Sequence, residues 1–361
     1  MSSLYSTCCV LFLALAIVAL HVSPAVSTSR RVFVGWHEPE LGFRVMLKHI
    51  DSAADGSVGV KAPVVAGNGE YLMYLSIGTP PKSYSAIMDT ASDLIWIQCK
   101  PCSQCVMSTE ILTFGKVLVP KIGFGCGEEN EAEGFSKGAG LVGLGRGALS
   151  LVSQLKEPKF SYCLVPFDDT HKSTLLMGSI ARVNRTFGAV KTTPMIHNPL
   201  QPSFYYLQLN GISVGKTHPP IEKSSFALRA DGTGGLIINS GTTITYLEGN
   251  AFHAVKKRFI KKMKLPLDNL GGTGLDLCLT LPSGVTEVKV PKLVFHFEGA
   301  DLDLPAENYM ISDTESALIC LAMGRSNDIS IFGNIQQQNT MVLHDLKQNT
   351  VSFAQTQCHK L

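Results

Sequence analysis

Short apolar runs separated by turn residues fill most of the chain from residue 70 onward. The first run, 71–77, ends in Gly78-Thr79-Pro80-Pro81, a sequence typical of a turn that follows a strand. Further strands are predicted at 94–98, 117–124, 160–165, 203–214, 243–247, 288–297 and 317–323. This pattern indicates a β-rich protein.

Helical spacing of apolar residues occurs in two segments, 148–156 and 250–264. The apolar positions of the longer segment are Phe252, Val255, Phe259, Ile260 and Met263. It also carries six cations, Lys256, Lys257, Arg258, Lys261, Lys262 and Lys264. A solvated helix face is the simpler interpretation of these charges, and a membrane or polyanion surface is the alternative.

The N-terminal pattern differs from the rest of the chain. Residues 10–20 are an apolar run too short to span a bilayer, and Ala25-Val26-Ser27 fits a cleavage site. We therefore predict a signal peptide over 1–27 and a secreted, extracellular protein, with the vacuole and the cell wall as alternative destinations. No Lys or Arg precedes the run, so a signal anchor is the alternative. Residues 28–66 are interpreted as a pro-segment or a disordered leader.

Composition limits the function classes. The 361 residues are 45% apolar and 17% charged, with a formal net charge of +2. The length suits two packed lobes, which we place at 67–190 and 191–361. The small net charge gives no reason to expect a nucleic-acid partner. No histidine cluster has metal-ligand spacing, and we expect neither a metal nor a cofactor.

Cysteine usage agrees with a secreted chain. Two of the ten cysteines, Cys8 and Cys9, fall in the predicted signal peptide. The remaining eight are Cys99, Cys102, Cys105, Cys126, Cys163, Cys278, Cys320 and Cys358. An even number behind a signal peptide predicts disulfides. Asn184-Arg185-Thr186 is a candidate glycosylation site.

Two stretches repeat one motif, 86–92 (AIMDTAS) and 236–242 (LIINSGT). Each is an apolar run that ends in Asp or Asn, then Thr or Ser, Ala or Gly, and Ser or Thr. A doubled Asp-Thr/Ser-Gly turn brings two carboxyl groups together so that they share one proton. Here the second acid is replaced by Asn239, and Ala91 stands at one glycine position.

Each half of the chain also has a later apolar pair closed by glycine, at 141–143 and 331–333. The spacings disagree, because Asp89 to Gly143 is 54 residues whereas Asn239 to Gly333 is 94. If the halves are equivalent lobes, the first lacks on the order of forty residues, which is several strands.

Together these motifs resemble the pepsin-like aspartic endopeptidases, specifically their plant nepenthesin-like branch. The resemblance covers residues 67–358, and its most specific segments are 71–81, 87–96, 98–102, 124–127, 140–147, 234–246 and 331–337. It implies a monomer with an all-β, bilobal pepsin-like fold, a few short helices and a truncated first lobe. Peptide or protein segments would bind in the cleft between the lobes.

The resemblance also assigns the site. Asp89 corresponds to the first catalytic aspartate, and Asn239 stands at the position of the second. The supporting positions of the two turns are Thr90, Ala91, Ser92, Ser240, Gly241 and Thr242. The implied disulfides are Cys99–Cys102, Cys105–Cys126, Cys163–Cys358 and Cys278–Cys320.

A long segment of the family pattern is absent between Cys105 and Glu110. In the family this segment holds the flap hairpin over the cleft, with its tyrosine, and four cysteines that pair among themselves. Trp96 stands where the family has a tryptophan that contacts the flap tyrosine, although a core aromatic is the simpler interpretation.

Family chemistry needs one carboxylate to accept a proton from water and one carboxylic acid to protonate the scissile carbonyl. Asparagine cannot titrate, and losing one general acid or base costs roughly 10²–10⁴ in rate. We therefore predict a secreted aspartic-type endopeptidase family member with weak or no activity. The alternatives are a non-catalytic binding or inhibitor-type protein, a working endopeptidase, and a truncated gene product.

Other motifs match on paper. Residues 134–138 fit Gly-x-Ser-x-Gly and 138–143 fit Gly-x-Gly-x-x-Gly, but neither follows an apolar strand. The spacing of Cys99, Cys102 and Cys105 could suit a metal, although a signal peptide favours disulfides. His344-Asp345 lies in an apolar strand pattern and is interpreted as structural.

Overall fold

The computed structural model describes residues 60–66, 69–99, 107–127, 138–183, 188–268, 273–283, 288–313 and 316–361. Several predictions fall outside these ranges: the signal peptide, the leader up to residue 59, and the roles of Cys102, Cys105 and Asn184. The Gly-x-Ser-x-Gly match at 134–138 also falls almost wholly outside them.

Strands dominate the described residues, which confirms the all-β prediction. In chain order they are β1 Val60–Ala66, β2 Tyr71–Ile77, β3 Lys82–Asp89, β4 Ile95–Gln98, β5 Met107–Phe114, β6 Val117–Gly127, β7 Gly140–Gly143, β8 Lys159–Cys163, β9 Ser173–Met177, β10 Lys191–Ile196, β11 Tyr206–Leu207, β12 Leu209–Val214, β13 Leu236–Ile238, β14 Thr245–Glu248, β15 Cys278–Thr280, β16 Leu293–Phe297, β17 Ala300–Leu304, β18 Met310–Asp313, β19 Leu318–Leu321, β20 Met323–Ser326, β21 Ser330–Phe332, β22 Thr340–Asp345 and β23 Thr350–Gln355. Within the described ranges, the α-helices are α1 Leu151–Leu155 and α2 Gly249–Met263.

Both helices lie where the apolar spacing predicted them. Ser150 caps α1, because its hydroxyl accepts a hydrogen bond from the Ser153 N–H at 3.2 Å. Glu248 caps α2 through the N–H groups of Asn250 and Ala251. The predicted apolar positions of α2 face the core, with Phe252, Val255, Phe259 and Met263 buried and Ile260 partly buried. Lys257, Lys261 and Lys262 are exposed, as a solvated face requires.

Strands from both halves of the chain meet in one sheet system. Seventeen of the described strands belong to it, and the other six form two three-stranded sheets, β12-β16-β17 and β15-β19-β18. β22 pairs with β8 and β23, and β23 pairs with β10. β1 pairs with β2 and β9, so the segment interpreted as a leader, 28–66, ends inside the sheet.

An aromatic cage in this core encloses His344 of β22. The imidazole is stacked on Phe160 with centroids 4.5 Å apart and meets Tyr205 edge-on at 4.7 Å. The side chain is fully buried, and neither ring nitrogen has a hydrogen-bond partner among the described residues. The phenol groups that border it bond elsewhere, Tyr162 to Gln337 and Tyr205 to the Leu144 carbonyl. His344 is a core residue, in line with its interpretation as structural.

The disulfides correct part of the predicted pairing. Cys163–Cys358 and Cys278–Cys320 form as the resemblance implied. The predicted Cys99–Cys102 and Cys105–Cys126 pairs are wrong, because Cys126 is bonded to Cys99 with Cα atoms 5.4 Å apart. The physical reason is strand register. β4 lies parallel to β6 with Ile97 opposite Cys126, and the Cys99 N–H bonds the Gly127 carbonyl, so the two cysteines meet as the strands pair.

Candidate active site

Two strand ends carry the doubled motif into neighbouring positions. β3 ends at Asp89, and β13 ends one residue before Asn239. Each strand has a parallel neighbour, β7 for β3 and β21 for β13. Asp89 is in register with Gly143, and Ile238 with Phe332. The repeat read from the sequence is therefore a structural repeat, in which each turn lies beside its closing glycine.

The closing glycines allow backbone to pass backbone. A Cβ atom on Gly143 would lie 2.5 Å from the Ser92 carbonyl oxygen. On Gly333 it would collide with the Ile244 carbonyl. Neither glycine has positive φ, so their requirement is close approach, with no demand for a left-handed backbone.

We expect Gly143→Ala and Gly333→Ala each to lower the free energy of unfolding by about 1–3 kcal/mol, because the methyl group meets backbone that cannot move aside. Urea unfolding measures this change. Gly211→Ala is the matched control, since no atom lies within 4 Å of a Cβ there. Equal losses at all three glycines would contradict the close-approach explanation.

Reciprocal hydrogen bonds join the two turns. The Thr90 hydroxyl donates to the Ile238 carbonyl at 3.2 Å and accepts from the Ser240 N–H at 3.0 Å. The Ser240 hydroxyl donates to the Met88 carbonyl at 2.9 Å and accepts from the Thr90 N–H at 3.2 Å. Thr90 and Ser240 are fully buried, so these bonds lie away from water. The two turns form one rigid unit.

The carboxylate of Asp89 is held in place by hydrogen bonds that both of its oxygens accept. Its Oδ1 accepts the Ala91 N–H at 2.9 Å, and its Oδ2 accepts a short bond from the Ser92 hydroxyl. Only 8% of the residue is exposed. Burial raises the pKa of the Asp89 carboxyl above its ordinary value, the Ser92 and Ala91 bonds lower it, and the charge of Asp93 raises it again.

Asn239 copies this arrangement with one bond reversed. Its Oδ1 accepts the Gly241 N–H at 2.6 Å, as Asp89 Oδ1 accepts the Ala91 N–H. Its Nδ2 donates to Thr242 Oγ1 at 2.8 Å, whereas the Ser92 hydroxyl donates to Asp89. Asn239 is also 8% exposed. The amide preserves the shape of the turn and its hydrogen bonding, and the position has no ionisable group.

The third residues of the two turns are Ala91 in the first and Gly241 in the second, and their surroundings differ. A Cβ on Gly241 would lie 2.5 Å from Asp89 Oδ1, so the second turn packs directly against the carboxylate of the first. The φ angle of Ala91 is not positive. The first turn therefore carries no left-handed strain at Ala91, and the glycine-to-alanine change costs nothing on that account.

Three supporting side chains were missed by sequence reasoning. Asn334 Nδ2 donates to the carbonyls of Ser240 and Gly69. Gln337 Nε2 donates to the Asn239 carbonyl at 3.1 Å. Asp93 accepts the Gly147 N–H at 2.7 Å and the Ser203 hydroxyl. Asn334 and Gln337 follow the closing glycine of the second half, which was the signal that could have identified them.

The region after β4 is short. β5 and β6 form a hairpin through Gly115 and Lys116, and residues 100–106 lie outside the described ranges. No tyrosine occurs in the sequence between Tyr84 and Tyr162. Trp96, in β4, is half-buried.

Within the described ranges, no group of three or more His, Cys, Asp or Glu side chains could hold a metal ion. No helix there is long and apolar enough to cross a membrane.

Family models match both halves of the chain. Residues 204–355 match one described as xylanase inhibitor C-terminal. Residues 71–110 and 102–179 match, in two pieces, one described as xylanase inhibitor N-terminal. The two pieces meet at 102–110, where the sequence indicated a missing segment.

Curated relatives align along 84–99% of the chain. Aspartic proteinase nepenthesin-1 of Nepenthes gracilis is 44% identical over 439 residues, covering 99% of each chain. Aspartic proteinase nepenthesin-2 of the same plant is 40% identical, again over 99% of each. Aspartyl protease family protein 2 of Arabidopsis thaliana is 34% identical over 84% of this chain and 74% of its own. With 361 residues, this chain leaves at least 78 of the 439 positions aligned to nepenthesin-1 empty.

Solved structures agree on the fold. The structure of edgp superposes with a TM-score of 0.69 at 17% identity, over 84% of this chain and 96% of that one. Basic 7S globulin from soybean superposes with a TM-score of 0.67 at 17% identity, over 83% of this chain and 97% of that one. With the family matches, these similarities confirm the predicted pepsin-like fold.

Proposed function

The chain belongs to the nepenthesin-like plant aspartic proteinases, and from that premise we propose that it is a secreted protein whose two turns bind peptide but hydrolyse it weakly or not at all. Its ligands are peptide or protein segments lying between the turns of Asp89 and Asn239, and it acts as a monomer. The apolar run at 10–20 supports secretion.

The observation that carries this proposal is the hydrogen bonding of Asn239. Both polar atoms of its amide are engaged, Oδ1 by the Gly241 N–H and Nδ2 by Thr242. These bonds hold an amide, which has no ionisable group, at the second position, so Asp89 is the one titratable member of the pair. A general acid and a general base are both required, and losing one costs roughly 10²–10⁴ in rate.

The short region between β4 and β5 supports the same proposal. Two pieces of the N-terminal family model meet at 102–110. The tyrosine expected on the flap has no counterpart, because no tyrosine occurs between Tyr84 and Tyr162. A flap excludes water and positions substrate, so its loss weakens both binding and catalysis.

One feature favours a second candidate, a working endopeptidase that uses Asp89. Burial raises the pKa of the Asp89 carboxyl, so this group retains a proton to a higher pH than an exposed aspartate. A carboxylate supplied by a partner chain would then complete the pair. Without such a partner chain, this candidate requires catalysis by Asp89 alone.

We expect purified secreted protein to show negligible cleavage of a denatured protein substrate at pH 3–5, with no change on adding pepstatin. Product peptides measured over time provide the readout. Robust cleavage that pepstatin abolishes would contradict the proposal and favour the second candidate. A cooperative thermal transition in the same preparation distinguishes a folded binding protein from a misfolded truncated product. Sequencing the transcript across 105–110 establishes whether the missing segment belongs to the gene product.

A further inference from the structure

A second cluster of chemically active side chains lies on the three-stranded sheet of β12, β16 and β17. Ser213 Oγ is 2.7 Å from His296 Nε2, and His296 Nδ1 is 2.7 Å from Asp301 Oδ1. A second imidazole, His218, places its Nδ1 3.0 Å from the same hydroxyl. Asp89 and Asn239 belong to the turns after β3 and β13, which are part of the larger sheet system.

Strand register explains why these residues meet. His296 is opposite Gly211 on one side and Asp301 on the other. Ser213 is two residues beyond Gly211 and thus on the same face of β12. The alternate residues Ile212 and Val214 are buried, so the face with Ser213 and His296 points away from the core.

With both imidazoles neutral, the hydrogen-bond donors and acceptors allow one set of proton positions. The Asp301 carboxylate can only accept, so His296 Nδ1 must carry the hydrogen. His296 Nε2 is then a lone-pair acceptor, and the hydroxyl of Ser213 donates to it. The remaining bond to Ser213 Oγ must come from His218 Nδ1–H. The serine therefore faces a general base, which a carboxylate orients, and a separate donor to its oxygen.

Solvent reaches this cluster. Ser213 is 7% exposed, while the side chains of His296 and Asp301 are 24% and 67% exposed. Gly211, the residue paired with His296, has no atom within 4 Å of a Cβ position, so the space beside the backbone of β12 is open there. An acyl group bound at Ser213 could occupy that space.

We propose that Ser213 is an activated nucleophile that accepts acyl groups from small activated carboxylic esters. Ser213 Oγ bonds to the carbonyl carbon as its proton passes to His296 Nε2. The bond to the leaving alcohol or phenol oxygen then breaks, and His296 returns the proton to that oxygen. Water, activated by His296, hydrolyses the acyl-serine and restores the hydroxyl. This activity is independent of the proposed peptide-binding function.

The test uses a biotinylated fluorophosphonate on the full secreted chain at pH 7.5, with labelled peptides identified by mass spectrometry. Phosphonylation releases fluoride and leaves the probe on the serine. We expect Ser213 to be labelled, Ser213→Ala to lose this label, and His296→Gln to slow it by roughly 10²–10⁴. Asp301→Ala should also slow labelling, with Asp301→Glu recovering part of the rate.

Ser83 is the internal control, because its hydroxyl lies 3.1 Å from Ser76 Oγ and bonds no imidazole there. Labelling of Ser213 at the rate of Ser83 would overturn the proposal, as would an unchanged rate in a His296→Gln protein that retains the wild-type thermal midpoint. The rate at which Ser213 is labelled should not change when pepstatin is added. Protection of Ser213 by pepstatin would place the hydroxyl in the Asp89 cleft and overturn the independence of the two sites.

Discussion

Replacing Asn239 by aspartate is expected to raise acid peptide hydrolysis by roughly 10²–10⁴-fold over the wild-type chain. The new carboxylate keeps the acceptor bond from the Gly241 N–H, and Thr242 can turn its hydroxyl to donate, as Ser92 does to Asp89. Two neighbouring carboxyl groups then share one proton, since both cannot ionise together. The measurement is the initial rate on a denatured protein substrate at pH 3–5, with and without pepstatin.

The matched control is Asp89→Asn in the Asn239→Asp background, which moves the single carboxylate to the other turn. It should return the rate to the wild-type level. If Asn239→Asp folds normally and remains inactive, the explanation based on Asn239 fails, and the short region after β4 is the dominant lesion.

Replacing His344 by leucine is expected to reduce the loss of stability that the protein suffers in acid. Burial among aromatic rings lowers the pKa of His344 from 6.5 to about 3. The unfolded chain takes up a proton at this residue below pH 6.5, whereas the folded protein does not until about pH 3. Above pH 6.5 His344 therefore does not reduce the free energy of unfolding. As the pH falls from 6.5 to 3, that free energy decreases progressively.

The size of the effect follows from that interval. At 1.36 kcal/mol per pH unit, the loss approaches roughly 5 kcal/mol at pH 3, a large part of a typical domain's stability. Urea unfolding of wild type and His344→Leu at pH 7.5 and 3.5 measures the difference. His253→Leu is the control, because His253 is exposed on α2. An equal pH dependence in wild type and His344→Leu would contradict the prediction.

These two results bear on each other. The acid range in which a carboxyl pair works is the range in which His344 weakens the fold, so a low rate could arise from unfolded protein. Asn239→Asp is therefore best assayed also in combination with His344→Leu. The two substitutions lie in different elements, the turn after β13 and strand β22.

The sequence predicted the parts of this protein that a local pattern defines. The turns at Asp89 and Asn239, their closing glycines and the amphipathic α2 each have a signature within a few residues, and all lie where expected. Short strands such as β11 and β13, two and three residues long, emerged only as parts of longer apolar runs. Their limits depend on pairing partners far away in the chain.

The wrong cysteine pairing and the unforeseen Ser213 cluster have one physical cause, which is cross-strand register. The spacing of Cys99 and Cys102 suggests a local pair, but the parallel pairing of β4 and β6 brings Cys126 to Cys99 instead. The alignment of three strands likewise brings together Ser213, His296 and Asp301. Their spacing along the chain does not predict this cluster. Interactions of this kind require the three-dimensional structure.

The reciprocal bonds between Thr90 and Ser240 also have a kinetic consequence. They join residues 148 to 152 positions apart, so the site cannot exist until most of the chain has been synthesised and both turns have formed. Contacts of such long sequence separation form slowly, because the intervening loop must close first. During synthesis on the ribosome, the Asp89 turn therefore has no partner for these four bonds until Ser240 has been added to the chain.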